Sequence, residues 1–245
     1  SIAAIACCLT PLILGFVIPL FRLMSWAWIS RDKASALVSI EMISNSLGLS
    51  IISSISIVLI ALLLVFTSRY FNSYVINFSN RLATLGYSIP GAVIAIGILL
   101  FTAQINAVIN FVLTGSLLLL VFAYIVRYLA VACQPINAGI ETNCESLNNA
   151  SKSLGSSTYT SLRLVNIPLI KNTLITAGLL VFIDIIKELP LTLILRPFNF
   201  ETLSTATFDL SSQAQIIEAS LPALCMIAVV LVPLVYLNYR LDNSR

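Results

Sequence analysis

The sequence predicts an all-α membrane protein, a polytopic bundle of about six transmembrane helices formed by a single domain over residues 1–245. Hydrophobic residues make up 59% of the chain and charged residues only 9%, whereas soluble domains carry roughly a quarter charged residues. Histidine is absent, which excludes His-dependent catalytic triads and imidazole metal ligands. The net charge of +3 is spread along the chain, so no basic cluster indicates nucleic-acid binding.

The predicted spans are the uncharged apolar runs, because a charge at the bilayer centre costs about 2.5–3.5 kcal/mol on insertion scales. About 20 helical residues are needed to cross a hydrocarbon core of about 30 Å. On this basis the spans lie at about 1–21, 44–68, 86–104, 112–132, 169–187 and 219–239. The stretch 133–168 is too polar to cross the membrane, and we predict that it forms one long loop.

The orientation follows from the distribution of Lys and Arg. Eight of the 13 lie on the side of the 133–168 loop and five on the other side, and positively charged loops stay in the cytoplasm. The loop is therefore predicted to be cytoplasmic. The chain begins with Ser1 inside an apolar stretch, so we expect it to be part of a longer polypeptide without a cleavable signal peptide.

Two features inside the spans leave structural alternatives open. Gly86, Gly91 and Gly97 accompany Pro90 in the third predicted span, where they either form a hinge or allow helices to pack closely. Arg127 lies near the inner end of the fourth predicted span, where its side chain either extends to the lipid headgroups or takes part in a gate.

The 133–168 loop carries the pattern of two short helices joined at a glycine. A capping box at 142–145 starts the first helix, and Gly155 ends it. We expect Gly155 to be the pivot between the two helices, at a position where a residue with φ > 0 is often needed. Ser156 and Ser157 cap the second helix, which Pro168 stops. Such an elbow suits docking to a partner protein, and the alternative is an amphipathic hairpin lying on the lipid headgroups.

Within this loop the sequence resembles a known family. Asn149-Ala150-Ser151, Leu154-Gly155 and Val165-Asn166-Ile167-Pro168 have the spacing of the EAA loop of permease subunits in binding-protein-dependent ABC importers. Asn149 stands where that pattern has Glu, and Ser151 where it has its second Ala. Residues 86–97, 123–130 and 187–198 are similar to the iron(III)-type permeases of this family.

The resemblance implies a type I ABC importer permease fold in a bacterial inner membrane, crossed several times. Its partners would be cytoplasmic ABC ATPase subunits, an extracytoplasmic substrate-binding protein and a second permease half, with this chain as the C-terminal half of a fused permease. The ATPase-coupling residues would be Asn149, Ala150, Ser151, Leu154, Gly155, Val165, Ile167 and Pro168.

The chain itself is expected to be a translocation subunit and not an enzyme. It has no G-x-x-x-x-G-K-[ST] motif, so we expect it to bind no cofactor, and ATP and Mg to be held by the partner ATPase. Ferric iron is the cargo that the resemblance implies, with thiamine, polyamine or phosphonate as alternatives. An ion-driven secondary transporter is the rival class, and it would require ionisable residues at mid-membrane.

The candidate substrate path is the interrupted apolar segment 184–196, because broken segments in transporters tend to line a cavity. Its candidate residues are Asp184, Lys187, Glu188, Pro190 and Arg196. In one interpretation Glu188 and Asp184 share a helical face and offer ferric iron a transient site, without a stable metal centre. In the other, Asp184 pairs with Lys187 while Glu188 pairs with Arg196, and the pairs hold an outer gate shut.

Overall fold

A computed structural model describes residues 2–70, 74–109, 113–143, 155 and 157–242, and all regular structure within these ranges is helical. The helices, in chain order, are α1 Ile2–Leu12, α2 Ile18–Ile29, α3 Ala34–Leu37, α4 Ile40–Tyr70, α5 Tyr74–Leu85, α6 Gly91–Ile109, α7 Leu117–Asn143, α8 Thr158–Ser161, α9 Ile167–Leu169, α10 Lys171–Ile186, α11 Pro190–Leu195, α12 Leu203–Ser212 and α13 Ile216–Asp242. Short π-helical turns at Ile13–Val17 and Leu162–Asn166 join α1 to α2 and α8 to α9.

Four helical stretches of the described chain are long and apolar enough to cross a membrane. They are Ala4–Ile29, Ile40–Arg69, Leu117–Thr142 and Ile216–Tyr236. The pair Tyr159–Leu169 and Lys171–Ile186, bent by 72°, makes a fifth if it counts as one span, and Gly91–Ile105 is a shorter apolar helix. The protein is therefore a multi-pass, all-α membrane protein, as the sequence predicts.

The chain divides into two compact units. The first comprises Ser1–Ser46 and Phe200–Val232. Within it, the Ser46 hydroxyl accepts a hydrogen bond from the Leu203 amide at 2.8 Å, and Thr202 caps the start of α12 in a reciprocal capping box with Thr205. Lys33 forms an ion pair of 3.2 Å with Glu218.

The second unit comprises Leu47–Asn199 and Pro233–Arg245, and α7 lies at its core. Tyr124, Leu120 and Ile136 of α7 are fully buried. Around α7 pack α5, α6, α10 and α11. Because burial of apolar side chains stabilises a fold, the buried side chains of α7 hold the neighbouring helices against it.

The boundaries of α7 correct the predicted loop. Residues 133–143 were expected to belong to it, yet α7 continues through them to Asn143. Ile136 and Ile140, one turn apart, are buried, while Asn137 and Glu141 on the outer face receive hydrogen bonds from Arg69. An amphipathic helix end carries polar residues without becoming a loop. The end of the helix was therefore predicted too early, because the prediction used hydropathy alone.

Candidate functional site

Two helical segments of the second unit are interrupted beside α7. Helix α10 ends at Ile186 and α11 starts at Pro190, since proline suits the first position of a helix, where its missing N–H removes no hydrogen bond. Between α5 and α6 a 3₁₀ turn covers Gly86–Ser88, and Pro90 precedes the first residue of α6. The third predicted span, 86–104, thus contains a break and a later helix start.

Gly86 brings the first interruption into contact with the backbone of α7. A Cβ atom at this position would lie 1.9 Å from the carbonyl oxygen of Val126. Only glycine permits this approach, since atoms in contact cannot overlap so far. Gly86 therefore packs closely, as one of the two sequence interpretations expects, while a Cβ at Gly97 would meet nothing within 4 Å.

Glu188, in the second interruption, is buried, with a relative exposure of 6%. Its Oε1 accepts a hydrogen bond from the Leu191 amide at 3.2 Å. Its Oε2 accepts one from the Tyr128 hydroxyl and lies 3.5 Å from Nε of Arg127. Both carboxylate oxygens are therefore engaged by groups of α7 and of α11, as a buried charge requires.

Arg127 does not have the surroundings that the first of its two sequence interpretations expects. Its Nη1 donates to the Ile89 carbonyl at 3.2 Å, and its side chain is 19% exposed, so it does not extend to the headgroups as expected. Because α7 runs from Leu117 to Asn143, Arg127 lies about 15 Å from the start of the helix and well before its end. The signal was present, since an ionisable residue inside an apolar run indicates a functional site.

Hydroxyl groups extend the cluster along α7 and α11. The hydroxyls of Tyr124 and Thr192 are 2.6 Å apart, and Thr192 Oγ1 also donates to the Glu188 carbonyl at 2.8 Å. Both residues are almost fully buried. The structure thus joins Arg127, Glu188, Tyr128, Thr192 and Tyr124 into one polar network inside an apolar core.

Asp184 has a different partner. Its carboxylate lies 2.8 Å from Nζ of Lys187, the pairing expected in the structural interpretation. The shared face proposed for Asp184 and Glu188 required the helix to continue to Glu188, and α10 ends at Ile186. Among the described residues, no group of three or more Cys, Asp or Glu side chains could hold a metal ion.

The remaining two candidates of this segment lie at the two ends of α11. Pro190 is its first residue and Arg196 its C-cap. The pairing of Glu188 with Arg196 stays a prediction, whereas the ion pair that the structure shows for Glu188 is with Arg127.

Residues 144–154 and 156 of the predicted coupling loop lie outside the described residues. Asn149, Ala150, Ser151 and Leu154 lie outside the described residues. Gly155 has φ = +76°, the left-handed conformation expected at the end of a helix. The Ser157 hydroxyl accepts a hydrogen bond from the Thr160 amide at 3.3 Å, so Ser157 caps the second short helix as predicted.

Pro168 does not stop that helix where expected. Val165 lies in the π-helical turn Leu162–Asn166, and Ile167 and Pro168 begin α9, which ends at Leu169. The bend of 72° follows at Ile170. Proline is well suited to the first turn of a helix, and here it occupies that position.

Asn166, at the end of the π-helical turn, is a buried residue that the sequence analysis did not single out. It is 1% exposed, and among the described residues neither atom of its side-chain amide has a hydrogen-bond partner. A buried amide without partners costs about 1–3 kcal/mol. The unpaired amide therefore destabilises the segment that joins the loop to α10.

Comparison with known proteins agrees with this architecture. Residues 57–244 match the family described as the binding-protein-dependent transport system inner membrane component. The chain belongs to this family. It is therefore an integral inner membrane component of a binding-protein-dependent transport system, and its apolar spans agree with a membrane location.

Two curated permeases of this family illustrate the similarity. The Fe(3+)-transport system permease protein FbpB 2 of Haemophilus influenzae is 28% identical over 218 residues, which are 88% of this chain and 42% of the relative. The putative 2-aminoethylphosphonate transport system permease protein PhnV of Salmonella typhimurium is 26% identical over 144 residues, 59% of this chain and 53% of the relative. The chain thus spans about half the length of these relatives, or less.

Solved structures show the same fold. A bacterial ABC transporter that imports the acidic polysaccharide alginate matches 97% of this chain and 93% of its own chain, with a TM-score of 0.76 and 14% identity. The alginate transporter in complex with a pentasaccharide-bound periplasmic protein matches with a TM-score of 0.74 and 16% identity. The type I permease fold expected from the sequence is confirmed.

Proposed function

We propose that this chain is the membrane-translocation subunit of an ATP-driven importer whose cargo is ferric iron. The observation that carries the proposal is the interruption of two helical segments at one buried polar network around Glu188, in a chain that belongs to the permease family. Broken helices with polar residues inside a membrane line a substrate path in transporters. The name of the Haemophilus relative supports iron as the cargo.

In this proposal the chain does no chemistry. Cytoplasmic ATPase subunits bind ATP and Mg, an extracytoplasmic binding protein delivers the cargo, and a second permease half, fused or separate, completes the path in a bacterial inner membrane. The loop around Gly155 docks in the ATPase, and the bend at Ile170 passes its movement to α10. The ATPase on the cytoplasmic side and the substrate path in the membrane would thereby be coupled through this bent segment.

The contacts of Glu188 support a structural role for it over a transient iron site. The carboxylate accepts hydrogen bonds from an amide and a hydroxyl, and Arg127 already neutralises its charge, so a cation would have to compete with these groups. Glu188 would then close the path, and the cargo would pass after the network opens. Glu188→Gln is expected to impair uptake under this interpretation, and full uptake by that variant would contradict it.

A 2-aminoethylphosphonate permease is the second candidate, since the Salmonella relatives carry that name. The test is uptake into proteoliposomes that contain the complete complex, with radioactive ferric iron and 2-aminoethylphosphonate as competing cargoes and each cognate binding protein. Iron uptake that needs both ATP and the binding protein supports the proposal. Uptake of the phosphonate alone reassigns the cargo, and uptake driven by an ion gradient without ATP rejects the importer.

A further inference from the structure

We infer that Arg127, Glu188 and the first turn of α6 form a latch that holds the two interrupted segments against α7 in the resting transporter. The inference rests on the proposed function and identifies the residues that control opening of the path. Arg127 is its centre, because this one side chain contacts both interruptions. Its Nη1 donates to Ile89 before α6, and its Nε faces Glu188 before α11.

Gly91, the first residue of α6, lies directly against this ion pair. A Cβ atom there would lie 2.6 Å from Nη1 of Arg127 and 2.7 Å from Oε1 of Glu188. The helix start can approach the two charged groups only because position 91 has no side chain. The three segments therefore meet at one point, where the charged groups of α7 and of the second interruption touch the backbone of α6.

The same geometry explains why the latch can open without unfolding the protein. The atoms that a Cβ at position 91 would meet are the ends of two flexible side chains, Arg127 and Glu188. At Gly86 the corresponding atom belongs to the backbone of α7, which cannot move independently. The contact at Gly86 is therefore made with backbone, which does not rotate away, whereas rotation of two side chains releases the contact at Gly91.

Gly91→Ala tests the latch, with Gly97→Ala as the matched control in the same helix. Alanine at 91 requires the side-chain ends of Arg127 and Glu188 to shift, while alanine at 97 meets no atom within 4 Å. The measured quantity is ATP hydrolysis by the complete reconstituted complex in the absence of binding protein. Loss of the charged hydrogen bond from Nη1 of Arg127 to the Ile89 carbonyl shifts the ratio of closed to open transporter by about tenfold, so the basal ATPase rate should rise several-fold in Gly91→Ala only.

Arg127→Gln, Glu188→Gln and the double variant form an independent measurement. If the two side chains act as one latch, the double variant raises the basal rate and lowers the thermal midpoint no more than the more severe single variant does. Additive effects, or a basal rate in Gly91→Ala equal to that of Gly97→Ala, would overturn the latch.

Failure of the proposed function has a separate signature. A wild-type complex whose ATPase does not respond to the binding protein would reject the importer. The latch is then tested by the thermal midpoints of the Arg127 and Glu188 variants. Additive decreases in the midpoint would reject the latch, and non-additive decreases would support the contact between the two side chains.

Discussion

The contact between Gly86 and α7 can be tested by adding a single methyl group. In Gly86→Ala the new Cβ would lie 1.9 Å from the Val126 carbonyl oxygen, whereas real Cβ atoms keep at least 3.0 Å from their neighbours, so something must move by 3.0 − 1.9 = 1.1 Å. The obstacle is backbone in the middle of a long helix, and its displacement disturbs the hydrogen bond that the carbonyl makes within α7.

Overpacking of this kind costs about 1–3 kcal/mol, and the rigid obstacle places the expected loss of unfolding free energy near the upper value. At about 2–4 °C per kcal/mol for a chain of this size, the midpoint of thermal unfolding in detergent should fall by about 6–12 °C. Gly97→Ala is the control, because its Cβ meets nothing within 4 Å and alanine favours a helix by about 1 kcal/mol over glycine.

The assay is the fraction of protein that stays monodisperse after heating, measured for wild type and both variants in the same detergent. A Gly86→Ala midpoint equal to or above that of Gly97→Ala would refute the reasoning, because it would show that the first interruption does not touch the backbone of α7.

Three further outcomes follow from the loop and its junction with α10. Asn166→Leu removes a buried amide that has no hydrogen-bond partner within the part of the chain that the structure describes. It should raise the unfolding free energy by about 1–3 kcal/mol, and a lower thermal midpoint would argue that the amide is satisfied. Gly155→Val should uncouple ATP hydrolysis from transport while Gly155→Asn retains coupling, because φ = +76° is accessible to Asn and strained for a β-branched residue; equal coupling in both variants would dismiss Gly155 as the pivot. An impermeant thiol reagent should miss Cys144 in intact cells and reach it in inside-out vesicles, and labelling from outside would reverse the predicted orientation.

The predicted end of the fourth span explains why the pairing of Arg127 with Glu188 was not predicted. The fourth span was placed at 112–132 on hydropathy, which put Arg127 near a membrane surface. Because α7 continues to Asn143, the same residue lies deep inside the helix. An error of eleven residues in one boundary therefore hid the charged partner of Glu188.

The partner of Glu188 was beyond the reach of local patterns for a second reason. Sequence spacing identifies neighbours at i+3 or i+4, and it found the Asp184–Lys187 pair. Arg127 and Glu188 are 61 positions apart in the chain, and Ile89 is a further 38 positions before Arg127. Nothing in the local sequence states that three such distant segments meet.

The sequence by itself determined that this is an all-α membrane protein, since the placement of apolar and charged residues is a local property that any fold of the chain must satisfy. The spacing of its loop motif also resembles that of the permease family. The sequence also predicted the left-handed Gly155 and the cap at Ser157, because both depend on a few adjacent residues. Only the tertiary structure decided which charged groups pair within the polar network. That choice depends on how closely two broken helices approach α7, and the approach is set by the absence of side chains at Gly86 and Gly91.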